Sequence, residues 1–274
     1  MTISSSLRVP GADLHYRIRG SGPMLLISQS GEGDADRSVD LVDRLVEDHT
    51  VVTYDRRGLS RSVLDDAGAG VTMAEHADDV HRLLASLTDE PVAMLGCSLG
   101  AVIGLHLAVD HPEQISTLIA HEPVAPRLLP EAERGHHERE LAELQEVYRR
   151  EGLAAAFKLI AEVLGIDPSD PTAEPDRTPA PMTDTRRANF DFFIARDFTA
   201  VIRDTLDVTA LRGTTTRIVP AAGRETPRTV FDHRCAQELA TLVGTEIAEF
   251  PGGHNGNTSH PRAYAARLRD VLGS

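Results

Sequence analysis

The chain has 274 residues and a formal net charge of −14, which argues against nucleic acid or an anionic membrane surface as a partner. Its two cysteines, Cys97 and Cys235, cannot form a disulfide framework and fit a reducing, cytoplasmic setting. Met1–Ser6 has neither a basic region nor an apolar core, so no signal peptide is expected, and the apolar run 92–109 is too interrupted by Gly96, Ser98, Gly100 and His106 to read as a membrane span.

Residues 13–19 alternate Leu14, Tyr16 and Ile18 with His15, Arg17 and Arg19, which predicts a half-exposed antiparallel edge strand. Met24–Ile27 is wholly apolar and predicts a central strand, running into the polar loop Ser28-Gln29-Ser30-Gly31-Glu32-Gly33-Asp34. Val39, Leu41, Val42, Leu45 and Val46 give one helical face, and Thr50–Tyr54 predicts a further buried strand. Asp55-Arg56-Arg57-Gly58-Leu59-Ser60-Arg61-Ser62 forms the next loop, and Thr72–Leu87 predicts a helix with Val80, Leu83, Leu84 and Leu87 inward.

Residues 91–100 read Pro-Val-Ala-Met-Leu-Gly-Cys-Ser-Leu-Gly, an apolar strand that ends in G-x-S-x-G and leads into an apolar helix, 99–110. A strand that turns abruptly into a helix leaves little room for side chains on either side of the turn residue. Glycines at 96 and 100 meet that need and present the Ser98 hydroxyl outward. Ile115–Ala120 predicts the next strand, ending in His121-Glu122-Pro123. The β-α-β-α rhythm implies a mostly parallel central sheet with helices on both faces.

The rhythm breaks at Val124. Residues 131–164 are helical and charged, 167–181 hold five prolines (168, 171, 175, 179 and 181), and 184–206 are helical again. Strand and helix alternate once more at 215–220, 227–243, 245–250 and 259–272. The expected organisation is a core of residues 1–124 and 208–274 with an inserted helical cap, 125–207.

A serine hydroxyl is a poor nucleophile near neutral pH and needs a base in hydrogen-bond reach, with an acid orienting that base. Among twelve histidines, His254 is the best placed. It sits in Pro251-Gly252-Gly253-His254-Asn255-Gly256 after the last strand, on the rim where loops from parallel strands converge. His121 and His260 are the runners-up. His136 and His137, with Glu133 and Glu140, read as a solvated helix face, and no metal or other cofactor is expected.

The order of elements, Gly96-Cys97-Ser98-Leu99-Gly100, Gly253-His254 and Asp55-Arg56-Arg57-Gly58-Leu59-Ser60 together resemble the α/β-hydrolase superfamily over roughly residues 13–124 and 214–272. The resemblance implies an α/β-hydrolase fold and a triad acid after the strand that precedes the last one. That loop reads Ala221-Ala222-Gly223-Arg224-Glu225-Thr226, with Thr226 where the aspartate is expected. The preferred acid is therefore Glu122, in the His121-Glu122-Pro123 context that resembles the branch containing zearalenone-type lactonases. Glu225 is the alternative, with surface ion pairing to Arg224 or Arg228 as its bland reading and a rim salt bridge to Arg127 as that of Glu122. The oxyanion hole is expected to use the N–H of Leu99 and one N–H from the 28–31 loop, Ser30 by register or Gly31.

Five of the seven phenylalanines, 157, 190, 192, 193 and 198, fall in the cap. Phe157, Phe190 and Phe193 are candidate roof residues for an apolar pocket, although a small cap also needs its own core. Glu32 and Asp34 would repel an anionic acyl group. The expected function is a serine hydrolase that cleaves a neutral, small-molecule carboxylic ester or lactone through an acyl-enzyme. The alternatives are a catalytically silent ligand-binding protein of the same fold, a Ser-triad carbon–carbon bond hydrolase, or a haloperoxidase-like enzyme.

Overall fold

A computed structural model describes residues 2–167 and 170–273, so Pro168 of the proline-rich stretch lies outside the described residues. In chain order the strands and helices begin with β1 (Thr2–Val9), β2 (Ala12–Gly20), β3 (Met24–Ser28), α1 (Val39–Leu45), β4 (Thr50–Tyr54), β5 (Val63–Leu64) and α2 (Met73–Leu87). Then come β6 (Val92–Cys97), α3 (Leu99–Asp110), β7 (Ile115–His121), α4 (Glu131–Glu151), α5 (Leu153–Val163), α6 (Asp184–Phe192) and α7 (Phe198–Ile202). The chain closes with β8 (Arg217–Gly223), α8 (Phe231–Val243), β9 (Ala248–Phe250), α9 (Gly256–Ser259) and α10 (Pro261–Leu272).

The sheet runs β1-β2-β4-β3-β6-β7-β8-β9, with β5 pairing β2. Pairing is parallel from β4 through β9 and antiparallel at β1–β2 and β2–β4. The strand over 13–19 is therefore not the edge: β1 covers it in full register, from Thr2↔Arg19 to Val9↔Ala12. The polar run Ser4-Ser5-Ser6 hides that strand from a hydrophobic-pattern reading, because most of its side chains face solvent.

Chain order reverses between β3 and β6, which pair in parallel from Leu25↔Ala93 to Ser28↔Gly96. A doubly wound sheet opens a crevice at the carboxyl ends of its strands at this switch point. The 28–31 loop and Ser98 both leave the sheet there. Leu99 through Ala108 of α3 are all buried, so this helix is apolar on every side and fixed against the sheet and α2. Thr72 caps α2: its hydroxyl accepts from the Glu75 N–H at 3.1 Å, and Glu75 Oε2 accepts from the Thr72 N–H at 2.8 Å.

Among the described residues, the stretch between β7 and β8 holds the α-helices α4 to α7, a π-turn at Phe193–Asp197 and short 3₁₀ turns at Pro126–Leu128 and Ala210–Arg212. The helical stretch expected over 131–164 holds two helices, α4 and α5, that meet at Gly152, whose φ of +84° suits glycine. The helix expected from 227 starts at Phe231. That shift puts Asp232 in its first turn, with consequences for the site.

Candidate active site

Ser98 lies between β6 and α3 with φ +56° and ψ −114°, outside the ordinary regions for a residue with a side chain. Close packing explains the flanking glycines. A Cβ on Gly96 would stand 2.6 Å from the Ala101 Cα, and one on Gly100 would stand 2.1 Å from the Ser28 carbonyl oxygen. The Ser98 N–H donates to the His121 carbonyl at 2.8 Å, which pins the turn to β7. Leu99 is the first helical residue of α3, where N–H groups have no partner within the helix. The neighbouring Cys97 is fully buried, and burial pushes its thiol up to about 12, so it is no rival nucleophile.

Glu122 follows β7 directly and is wholly buried with a φ of +45°. Besides Ser98, only Ser60 shares a positive φ among the described non-glycine residues. The Glu122 N–H donates to the Ala221 carbonyl at 2.9 Å, and its Oε1 accepts from the Gly223 N–H at 2.8 Å. Its Oε2 accepts from His254 Nδ1 at 2.8 Å. An ionised carboxylate can only accept, so this bond places the neutral imidazole's proton on Nδ1 and leaves Nε2 open.

A third group was not visible in the sequence. Asp232 Oδ2 lies 2.5 Å from the same Nδ1, and Asp232 is entirely buried. Two acids thus converge on one imidazole nitrogen. Burial disfavours the imidazolium of His254, but the carboxylates of Asp232 and Glu122 outweigh it and hold the imidazole's affinity for a proton well above ordinary. Burial pushes Glu122 up as well, yet the His254 hydrogen bond keeps it below the usual carboxylate range. Asp232 is raised, first by burial and then by the nearby Glu122 charge.

Glu122, Asp232 and His254 also have the chemistry of metal ligands. Donor atoms around a tetrahedral zinc bonded at about 2.0–2.1 Å stand roughly 3.4 Å apart. The 2.5 and 2.8 Å separations here are those of groups sharing protons. His136, His137 and Glu140 cluster on α4, but only His136 lies on a solvated face as expected: His137 is largely covered, stacked on buried Phe231 at 4.6 Å between ring centres.

The other expected residues fall as follows. Glu225 is exposed and its N–H donates to the Gly252 carbonyl, whereas the His254 ring is bound to Glu122. Thr226 is buried beside Gly253, 3.5 Å from a Cβ placed there, so it stands next to the base without supplying a carboxylate. Arg127 turns to the Leu206 carbonyl at 3.4 Å rather than to Glu122. His121 is buried edge-on to Phe250 and Tyr264, and burial lowers it to about 4. His260 contacts the Ser259 hydroxyl through Nδ1 at 2.8 Å.

Glu32 pairs with Arg37 and Arg186, and Asp34 takes the Ser60 hydroxyl at 2.5 Å and Arg61 at 3.4 Å. These partners offset the negative charge expected to repel an anionic acyl group. The surplus carboxylate lies instead behind His254. Among the aromatic residues, Phe193 reaches the 28–31 loop: a Cβ on Gly31 would meet its ring at 2.6 Å. Phe157 and Phe190 are half-buried and pack edge-to-face on each other at 4.5 Å.

The sequence hides Asp232 because a helix beginning at 227 carries it past the first turn, where a charged residue reads as part of a solvated helix face. The available signal was its place: a few residues past the β8 loop, on the same rim as His254.

A serine on a strained strand–helix turn and a buried histidine–carboxylate cluster, both at the carboxyl edge of a doubly wound sheet, match a hydrolase fold. Residues 23–162 match the family described as alpha/beta hydrolase fold, and the chain belongs to that family. It is 38% identical over 277 residues to the uncharacterized hydrolase YraK of Bacillus subtilis (strain 168), covering 99% of this chain and 97% of that one. Its fold is similar to that of an esterase from Exiguobacterium antarcticum, with a TM-score of 0.79 at 18% identity, covering 99% of this chain and 100% of that one. An enol-lactonase from Burkholderia xenovorans LB400 matches with a TM-score of 0.71 at 21% identity, over 98% and 100% of the two chains. The protein is an enzyme of the hydrolase class. Among the described residues, no helix is long and apolar enough to cross a membrane.

Proposed function

We propose that the protein is a serine hydrolase acting on a neutral, small-molecule carboxylic ester or lactone through an acyl-enzyme. The observation that carries this reading is the orientation of His254. Its Nδ1 is bound to a buried carboxylate, so Nε2 is free for the serine's proton, on the rim where Ser98 leaves the sheet.

Ser98 Oγ attacks the carbonyl carbon while its proton passes to His254 Nε2. The resulting oxyanion takes hydrogen bonds from the N–H of Leu99 and from that of Ser30, or Gly31 beside it. The tetrahedral species collapses, and the leaving alkoxide receives the proton from His254. Water then attacks the acyl-enzyme, gives a proton to His254 and releases the acid, and Ser98 recovers its proton. Glu122 and Asp232 stabilise the imidazolium that forms twice in this cycle. In a lactone the leaving alkoxide stays attached to the acyl group and only the ring opens.

A neutral substrate suits the surplus of buried carboxylate behind the base, because an anionic acyl group would be repelled there. Residues 125–207 serve as a cap over the core of residues 1–124 and 208–274. Ser98 is 2% and His254 5% exposed, so substrate enters as cap helices move. Phe193 is the cap residue best placed to line the pocket; Phe157 and Phe190 contribute through the cap's own packing. Both cysteines are free and buried, which fits the cytoplasm.

The silent-binder reading draws on the threonine at 226 and on Ser28-Gln29 standing where the family usually has His-Gly; the carboxylates of Glu122 and Asp232 beside His254 weigh against the first motive. The test is hydrolysis of a short-chain aryl ester together with labelling by a fluorophosphonate. Wild-type turnover and labelling are expected, both abolished in Ser98→Ala. Turnover that survives Ser98→Ala overturns the reading.

A further inference from the structure

Outside the proposed triad, a second buried network ties the loop after β3 to the cap. Arg56, on the loop after β4, is 2% exposed although it carries a full charge. Its Nη1 donates to the Ser30 carbonyl at 2.8 Å and, at a longer 3.4 Å, to the Gln29 carbonyl. Its Nη2 donates to the Gly31 carbonyl at 2.9 Å and to Asp197 Oδ2 at 2.7 Å. Asp197 is wholly buried, and its Oδ1 accepts from His76 Nε2 at 3.1 Å. Burial pushes the Asp197 carboxyl up, but Arg56 and His76 outweigh it and hold the group below its ordinary value.

As a source of stability alone this network is a poor investment. Removing a guanidinium and a carboxylate from water costs several kcal/mol, and an apolar pair of similar volume often does as well. An apolar pair cannot hold carbonyls. Arg56 draws three consecutive carbonyls, those of residues 29, 30 and 31, toward one guanidinium. In a planar trans peptide the C=O and the following N–H point in opposite directions. Fixing the Gln29 and Ser30 carbonyls therefore turns the N–H groups of Ser30 and Gly31 to the far side of the loop. Those are the two candidate oxyanion donors.

The cap touches the same loop a second time. Phe193 opens the π-turn that Asp197 closes, and its ring lies against Gly31 so closely that a Cβ there would stand 2.6 Å away. One short segment of the cap thus supplies both the anion that holds Arg56 and the ring that covers the loop. π-Turns of this kind often sit at functional sites.

We propose that Arg56 and Asp197 are positioning residues: Asp197 of the cap holds Arg56, and Arg56 aims the Ser30 and Gly31 N–H groups, so the oxyanion site is set only while the π-turn is docked. This rests on the serine-hydrolase reading above. It makes cap docking a condition of transition-state stabilisation as well as a cover for the substrate.

The test uses Asp197→Asn and the double variant Arg56→Met/Asp197→Leu, which leaves no orphaned buried charge. Melting curves establish that each is folded. kcat and KM are measured on the aryl ester, alongside the affinity for an aryl boronic acid. That inhibitor bonds to Ser98 Oγ as the serine's proton moves to His254, and places a boronate oxygen at the oxyanion site. Losing one oxyanion donor outright costs about 10²–10³ in kcat, so misaiming both is expected to cost roughly 10–100-fold. KM should stay within a few-fold, and boronate affinity should fall by the same factor as kcat.

A folded double variant with wild-type kcat and boronate affinity overturns the proposal. So does a loss confined to KM, which would make the network a substrate-binding feature only. Should the double variant not fold, Asp197→Asn decides by the same criteria, because it keeps the hydrogen-bonding shape. A wild-type protein that neither turns over ester nor labels at Ser98 removes the hydrolase reading, and this proposal with it. Normal wild-type turnover with indifferent variants removes this proposal alone.

Discussion

Two buried clusters, each with a histidine and at least one acid, lie near the carboxyl edge of this sheet. In the first, Arg56 and Asp197 oppose one cation to one anion, and His76 completes the second carboxylate oxygen. In the second, Glu122 and Asp232 both crowd His254 Nδ1, with no arginine among the contacts described there. The first cluster is balanced and holds geometry. The second carries more carboxylate than its single imidazole can neutralise, and that imbalance readies a histidine to accept a proton. Burial is the same in both, so the charge count is what sets the two clusters apart.

The largest expected effect lies at Ser98, the proposed nucleophile. Ser98→Ala should lower kcat on the aryl ester by about 10⁶. Next comes removal of both acids: Glu122→Gln with Asp232→Asn should cost roughly 10³–10⁴ in kcat. Each single replacement should cost only about 10–100-fold, because the remaining carboxylate still reaches the same nitrogen. A double-mutant cycle in which the two single losses simply multiply would show that the acids act independently.

The two clusters should also part in stability. Asp197→Ala leaves a buried guanidinium unmatched and should cost about 3–5 kcal/mol in a urea melt. Asp232→Asn removes a surplus buried carboxylate and should leave stability unchanged or slightly raised. Equal losses from the two would erase the distinction drawn here.

A smaller effect is a displacement of the pH profile. His254 acts as a base only when Nε2 is unprotonated, so activity is present above its pKa and lost as pH falls through it. The carboxylates raise that pKa. Asp232→Asn should therefore move the acid limb of kcat/KM to lower pH, and a shift upward would contradict the coupling. Last, Glu225→Ala should stay within a few-fold of wild type in kcat, since that side chain is exposed and the base is already bound elsewhere.

Much of this was legible in the residues. The glycines at 96 and 100 announce a turn where a side chain has no room, and the structure shows what would be struck: the Ala101 backbone and the Ser28 carbonyl. The threonine at 226 disqualified the usual acid position and directed attention to Glu122, which the structure places 2.8 Å from His254. The N-terminal strand was not legible, because a covering strand with a mostly exposed run of serines lacks an alternating pattern. The charges of the loop after β3 misled: Glu32 and Asp34 look like a negative patch until Arg37, Arg186 and Arg61 are found beside them.

By itself the sequence determined the alternation of the parallel strands with their helices, the serine's turn and the histidine's loop, because periodicity and glycine placement are local consequences of backbone geometry. Only the tertiary structure decided that Asp232 joins Glu122 at one nitrogen, and that Asp197, between β7 and β8, reaches Arg56 across 141 positions of chain. Those pairings depend on how helix starts and loops are brought together across the sheet's edge. Electrostatic coupling falls off with distance in space rather than along the chain.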